Sequence, residues 1–545
     1  MKQRIEAGID IILVFLRKIS RKQRVPFFLT GLILILLFVT FHGISLSGFP
    51  VSFVSPQFRS QAISQAEYAN LLSRQVTFWR SFYPQLAAHA PNCDPLIHPG
   101  NHHLETGYNA TQKRPRPDYI RMTGHQLHAL HASHQSFVDE IKTEAWQWRP
   151  YNLPYIPKTR GIVTTAGGSY LPIAVISIRM LRETGSQLPV EVVLANQEEW
   201  DPQICDIVFP TLLNTRCVVL QDIFDAAGQN ESIKIDKYQY KIMSILFSSF
   251  EQVLFMDSDC FPIYDPEQLF LTDPFSSTGL VLWPDFWFPS ESPFFFEISG
   301  IKEPLVHVRP STEAGEILYS KPKHELSLLL ATYYNYYGPA FYYPLQSQGE
   351  YGEGDKETFY WAAIALKEPV YSVSTMVNAL GSVTILGVPQ PEGDVRGSAM
   401  AQHDPIMDLA MRDRHRNKDD GDTNEQAVPG KAATSAPNLR TRPRPYFVHA
   451  NFPRLNPATI FQEEARGGGS PTRDVNGTHV RIWQQTEAAA IEEFGYDLER
   501  RLWNEIRLTA CEYEGEFLAW AGISDICRNA TIYWGAVFET NGEMR

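Results

Sequence analysis

The sequence predicts an α/β fold: a parallel sheet flanked by helices, behind an N-terminal transmembrane helix and a helical stem. Three observations carry that prediction. Short β-branched apolar runs alternate with helical periodicity between residues 158 and 257. The stretch Val25 to Phe58 contains no charged residue. After the apolar part of that stretch, residues 50–155 are polar and mostly helical in pattern.

The first element is the membrane helix. Its centre, Phe27 to Ile44, is strongly apolar, and about 20 such residues span a bilayer as a helix, which satisfies its own backbone polar groups. Lys2, Arg4, Arg17, Lys18, Arg21, Lys22 and Arg24 precede it, against only Glu6 and Asp10. That bias keeps the leading end cytosolic and sends the rest across the membrane. A cleaved signal peptide is the competing reading; the long apolar run and the lack of a small-x-small cleavage site weigh against it. The organisation expected is a cytosolic tail at 1–24, an anchor at 25–48, a stem and helical lead-in at 49–157, and a main domain at 158–545. Within the lead-in, Ile120, Leu127, Leu130, Phe137 and Ile141 have helical spacing.

The main domain opens on Gly161-Ile-Val-Thr-Thr165, apolar and β-branched as a buried strand should be, and Ala166-Gly167-Gly168 breaks it. A helix follows over Tyr170–Arg182, then strands at Val190–Leu194 and Cys217–Leu220. A helix around Tyr238–Phe250 leads into the apolar run Gln252–Asp257. Such alternation builds βαβ units and a parallel sheet. Residues 408–445 are charged and rich in Gly, Pro and Ala, and read as an exposed, disordered insertion. Gly467-Gly-Gly-Ser-Pro471 reads as a loop, and Ala488–Leu508 as an amphipathic terminal helix.

Composition narrows the class. The 545 residues are 44% hydrophobic and 20% charged, enough apolar side chain for a large core, with a net charge of −13 that argues against a nucleic-acid grip. Four Asn-x-Ser/Thr tripeptides, at Asn109, Asn230, Asn476 and Asn529, are glycosylation acceptors. Six cysteines contain no Cys-x-x-Cys, so a zinc ribbon is not expected. In a luminal domain, Cys205 with Cys217 and Cys511 with Cys527 are candidate local disulfides.

The chemistry concentrates at Leu254-Phe-Met-Asp257-Ser-Asp259-Cys260. An apolar strand delivers Asp257 and Asp259 at its carboxyl end, where open α/β sheets bind ligands. Two hard oxygen ligands one residue apart suit Mg²⁺ or Mn²⁺ bridging a diphosphate, although an Asp-x-Asp in a surface turn is the plain alternative. Lys241 lies on the preceding helix and could meet a diphosphate as a point charge or face solvent. Trp283-Pro-Asp285 offers an aromatic platform and a carboxylate for a sugar, or a packed core tryptophan. Asp355-Lys356-Glu357 stands at a helix start, where Asp355 either caps the helix or meets sugar hydroxyls.

Several phrases together resemble one family. Gly161-Ile-Val-Thr-Thr-Ala-Gly-Gly168, Leu188-Pro-Val-Glu-Val192, Cys205…Cys217, Lys241…Ser248-Ser-Phe-Glu251 and Asp257-Ser-Asp259 fit its pattern. So do Trp283-Pro-Asp285, Glu313-Ala-Gly315, Gly352-Glu-Gly-Asp-Lys-Glu-Thr-Phe359 and Tyr446-Phe-Val-His-Ala-Asn-Phe-Pro-Arg454. The sequence resembles the fungal Golgi α-mannosyltransferases of the Mnn type over about residues 121–538, apart from the insertion. The resemblance implies a GT-A-like, Rossmann-type sheet, GDP-mannose as donor and Mn²⁺ or Mg²⁺ as cofactor. It implies an α-mannoside glycan as acceptor and a single-pass type II Golgi protein with a luminal catalytic domain. A Golgi mannosyltransferase complex is a candidate partner.

The resemblance also implies roles. Asp257 and Asp259 would bind the metal, with His449 as third ligand and His403 as the rival histidine. Thr164, Thr165, Ala166 and Gly167 would lie against the guanosine, and Lys241, Trp283, Asp285 and Lys356 would contact the donor. Asp355 and Glu357 are the candidate catalytic acids, and Arg454 stands where a diphosphate-binding base would sit. The implied reaction is retaining and forms an α-1,2 linkage, with α-1,3 transfer as the variant within the family. A glycoside hydrolase with paired carboxylates and a non-catalytic subunit of a mannan-synthesising complex are the readings from other classes.

Overall fold

The computed structural model describes residues 65–100, 107–143, 153–228, 235–350, 352–381, 398–419, 442–462, 470–474, 476–483 and 485–539. The expected tail and anchor, residues 1–48, and most of the loop at 467–471 lie outside them. Among the described residues no helix is long and apolar enough to cross a membrane.

Among the described residues, eleven strands form two sheets. They are β1 Ile156–Thr165, β2 Val190–Leu194, β3 Thr215–Val219, β4 Phe250–Met256, β5 Cys260–Pro262, β6 Leu280–Pro284, β7 Thr312–Ser320, β8 Tyr371–Ser372, β9 Asn378–Gly381, β10 Ser398–His403 and β11 Pro445–Phe452. The larger sheet has the order β3-β2-β1-β4-β7-β6-β8, and the smaller one β5-β11-β10-β9. β3, β2, β1 and β4 are parallel, as the alternating strand and helix pattern predicts; β7 runs against both β4 and β6. The fold is thus mixed α/β with a parallel-rich main sheet.

Side-chain alternation along the central strands feeds two apolar layers. Val253 and Phe255 of β4 join one core cluster, and Leu254 and Met256 the other; in β7, Ile317 and Tyr319 part from Leu318 in the same way. Helices Gln239–Phe247, Glu325–Tyr336 and Thr358–Leu366 cover the first face, and helix Leu171–Glu183 covers the second. β1 and β4 approach closely at Gly161, where a Cβ would strike the Phe250 ring. Disulfides join Cys205 to Cys217 and Cys511 to Cys527, while Cys93 and Cys260 are free.

Three expectations need correction. Where it is described, the stretch read as a stem and helical lead-in packs into the body: helix Gln65–Ala88 buries Phe78, Trp79, Phe82 and Leu86, and helix Gly124–Ile141, at the expected lead-in, buries Leu130, Phe137 and Ile141, in the same core as β4. The insertion starts later than 408, because helix Pro405–Asp419 runs through that point and β11 begins at Pro445; residues 420–441 lie outside the described ones. Asp408 is buried and accepts hydrogen bonds from Tyr371, Ser374 and Thr375, so its charge does not mark exposure. The terminal helix is two helices, Glu487–Phe494 and Leu498–Tyr513. Gly495, at φ +86°, closes the first in the left-handed conformation, and the Asp497 side chain caps the second.

Candidate active site

A cleft of about 760 Å³ lies at the carboxyl ends of β1, β2 and β4. β4 ends at Met256, and the next turn presents Asp257 and Asp259 before β5 begins at Cys260. β11 pairs with β5 so that His449 stands opposite Cys260, which brings the imidazole over the two carboxylates. Ligand atoms of Asp257, Asp259 and His449 lie within 4.8 Å of one another. His449 Nε2 is 3.2 Å from Asp259 and 3.9 Å from Asp257.

Glu313 completes this group and was not singled out for any chemistry, although its motif was visible. Its Oε1 lies 3.2 Å from His449 Nδ1 and accepts a hydrogen bond from Gly315 N–H at 2.7 Å. Gly315 is required there, because a Cβ would collide with the imidazole. Burial would raise the Glu313 pKa, yet the hydrogen bond to His449 and the charges of His449 and Lys241 bring it down to about 2. Burial opposes a charged His449, but Asp259 and Glu313 hold its proton affinity well above the ordinary value. A divalent cation would compete with that proton. Two carboxylate oxygens and an imidazole nitrogen are a donor set that fits Mn²⁺, and a carboxylate behind the imidazole is the usual way to orient a metal-binding histidine.

Lys241 is not a solvent-facing helix lysine. It is buried, donates to the Ala314 carbonyl at 2.6 Å, and lies 3.2 Å from Asp257 and 3.6 Å from Asp355. Burial works against its charge, and Asp257, Asp355 and Glu313 outweigh burial. Asp355 lines the cleft, with Oδ2 buried and lacking a hydrogen-bond partner among the described residues. Burial pushes its pKa up to about 6 against the pull of Lys241. Lys356 also lines the cleft and donates to Asp285 at 2.8 Å. Arg454 lies on the rim, 4.9 Å above the Tyr170 ring. Thr165, Ala166 and Gly167 line the cleft at the carboxyl end of β1.

Other candidates sit elsewhere. Trp283 is fully buried and its indole donates to the His403 carbonyl at 2.9 Å, so it packs the core and offers no platform. Thr164 is buried in β1 one residue short of the cleft wall, and Asp285 lies behind Lys356 as its counter-ion. Glu357 turns away: it accepts from Thr312 N–H at 2.7 Å and pairs with Arg309 at 2.5 Å, which also meets Glu291 at 2.9 Å. Strand and helix periodicity give no warning of that inward turn, because Asp355, Lys356 and Glu357 lie in a non-helical turn before Thr358. His403 is buried on β10, outside the carboxylate group, and burial lowers its pKa to about 3.

A family model described as "Mannosyltransferase putative" matches residues 159–308 and 305–404. Alpha-1,2-mannosyltransferase MNN21 of Candida albicans is 34% identical over 457 residues, 75% of this chain and 65% of its own length. Alpha-1,2-mannosyltransferase MNN2 of Saccharomyces cerevisiae is 29% identical over 405 residues, 65% of either chain. Over most of its length the chain is similar to Mnn-type alpha-1,2-mannosyltransferases of yeasts. It spans just under two thirds of the length of these relatives. Among solved structures, the galactosyltransferase LgtC overlaps 39% of this chain and 73% of its own, at 15% identity and a TM-score of 0.26. The matched segments contain Asp257, Asp259, Glu313 and Asp355; His449 and Arg454 lie beyond them.

Proposed function

We propose that this chain transfers mannose from GDP-mannose to an α-mannoside glycan, forming an α-1,2 linkage with retention at C1. The single observation that carries this reading is the Asp257–Asp259–His449 group at the carboxyl end of a parallel strand, inside a cleft that also holds Lys241 and Asp355. The linkage follows the names of the relatives. A Golgi location with type II topology rests on the apolar stretch and basic flank read from the sequence.

Asp257, Asp259 and His449 would hold a divalent cation, whose charge stabilises a departing diphosphate. Glu313 keeps the His449 ring in place. Lys241 and Arg454 add fixed positive charge to the same end of the cleft, so charge that develops on the leaving group meets preorganised partners. Asp355, whose Oδ2 accepts no hydrogen bond from the described residues and lies 3.6 Å from the Lys241 ammonium, would accept from a sugar hydroxyl. In the transfer itself, the bond from the acceptor oxygen to C1 forms as the bond from C1 to the phosphate oxygen breaks. The hydroxyl proton passes to a phosphate oxygen, so no dedicated base is required. Glu357, locked to Arg309, is no part of this chemistry.

The test is incubation of the purified full chain with GDP-mannose, Mn²⁺ and α-mannobiose, with the product linkage read by NMR. An α-1,2-linked trisaccharide is expected, and Asp257→Ala should abolish it. Retained Mn²⁺-stimulated turnover in that variant would sink the proposal, and sugar release without nucleotide would point to a hydrolase.

A further inference from the structure

Beside Asp257, Asp259, Glu313 and Asp355, the cleft contains a further fixed carboxylate with no part in the transfer step. Glu199 follows β2 in the 3-10 turn Gln197–Glu199, whose amides are capped by the Asn196 side chain. Ala195 N–H donates to Glu199 Oε2 at 2.8 Å and so fixes the carboxylate at the carboxyl end of β2. Oε1 has no hydrogen-bond partner among the described residues, and the side chain lines the cleft. Gly167 packs against the carboxylate so closely that a Cβ would collide with it.

The strand order decides where this acid lies. β2, β1 and β4 are adjacent and parallel, so Glu199, the Thr165–Gly167 wall and Asp257 share one edge of the sheet. Two strand spacings, about 10 Å, separate the ends of β2 and β4. A nucleoside with its phosphates at Asp257 would reach across β1 and bring its base edge to Glu199. The intervening surface is made of small side chains, Ala166, Gly167, Val193 and Ala195, against which a flat ring can lie.

An ionised carboxylate only accepts hydrogen bonds. Guanine presents two adjacent donors, N1–H and the 2-amino group, on one edge. Uracil presents one donor between two carbonyl oxygens, which a carboxylate repels, and adenine and cytosine place an acceptor beside their amine. We infer that Glu199 reads the guanine edge and sets the base specificity of the donor. This rests on the reading of the cleft as a nucleotide-sugar site.

The test is a cycle of ligand and residue changes. GDP, IDP (which lacks the 2-amino group) and UDP are titrated against the full chain with Mn²⁺. The unaltered protein should bind GDP about tenfold more tightly than IDP, the worth of one hydrogen bond to a charged acceptor, and UDP more weakly still. In Glu199→Gln the GDP preference over IDP should collapse to about twofold or less. Equal loss of GDP and IDP affinity in that variant overturns the inference while leaving the nucleotide site standing. Equal GDP and IDP affinity in the unaltered protein also overturns it, and this holds even if the variant fails to fold. Failure of the unaltered protein to bind any of the three overturns the nucleotide reading itself.

Discussion

His449 is held from two sides, by Asp259 at 3.2 Å from Nε2 and by Glu313 at 3.2 Å from Nδ1. The arrangement makes Glu313 a positioning residue, which leads to a prediction at this scale. Glu313→Gln keeps an acceptor for Gly315 N–H but removes the charge behind the imidazole. Mn²⁺ affinity should fall by roughly 10–100-fold while turnover at saturating Mn²⁺ changes little, as read from Mn²⁺ titrations of transfer activity. An unchanged Mn²⁺ dependence would make Glu313 merely structural. The Asp257–Asp259 pair was legible because both acids follow one apolar strand. Glu313 was not, since it comes to the site from β7, more than fifty residues later, and nothing in Glu313-Ala-Gly315 by itself marks a histidine partner. Trp283 shows the opposite error: a tryptophan beside an acid looks the same in sequence whether it faces a sugar or the core.

Among the elements, helix Leu498–Tyr513 carries a buried acid in its first turn. Glu499 accepts from Ile482 N–H at 2.6 Å, and burial pushes its pKa up to about 7. A carboxyl with a raised folded-state pKa binds its proton more tightly in the folded chain, so its stabilisation is present below the ordinary value and lost as pH rises through about 7. Thermal melts of the unaltered chain and Glu499→Gln should therefore converge near pH 4 and separate toward pH 8, the variant being the more stable by up to roughly 3 kcal/mol. Parallel melting curves across that range would refute the assignment. The strands of the main sheet were readable at this scale because β1, β2 and β4 are buried on both faces and β-branched or aromatic. The break at Gly495 was missed because amphipathic period continues on either side of it, and only the left-handed backbone there reveals two helices.

For the whole molecule, the lead-in helices are what most changes the picture. Phe78, Trp79, Phe82 and Leu86 lie against the layer that also contains Val253 and Phe255. Each such side chain contributes about 1.5–3 kcal/mol on burial, so the segment belongs to the fold and is no tether. A chain beginning at Phe58 should melt cooperatively close to the full-length chain. One beginning at Pro91 should lose the cooperative transition and aggregate, as seen by calorimetry and light scattering. Equal melting of the two would restore the stem.

What the sequence determined by itself is whatever rests on local pattern. Periodicity marked the βαβ succession that leads to the two-acid turn after β4, and contiguous motifs carried the resemblance to known mannosyltransferases. Only the tertiary structure decided which histidine joins the acids, that Glu357 belongs to a buried pair with Arg309, and that Lys241 turns inward to Asp257 and Asp355. Those outcomes depend on which strands become neighbours: β11 reaches the site by pairing with β5, across almost two hundred residues, and no local pattern encodes that approach.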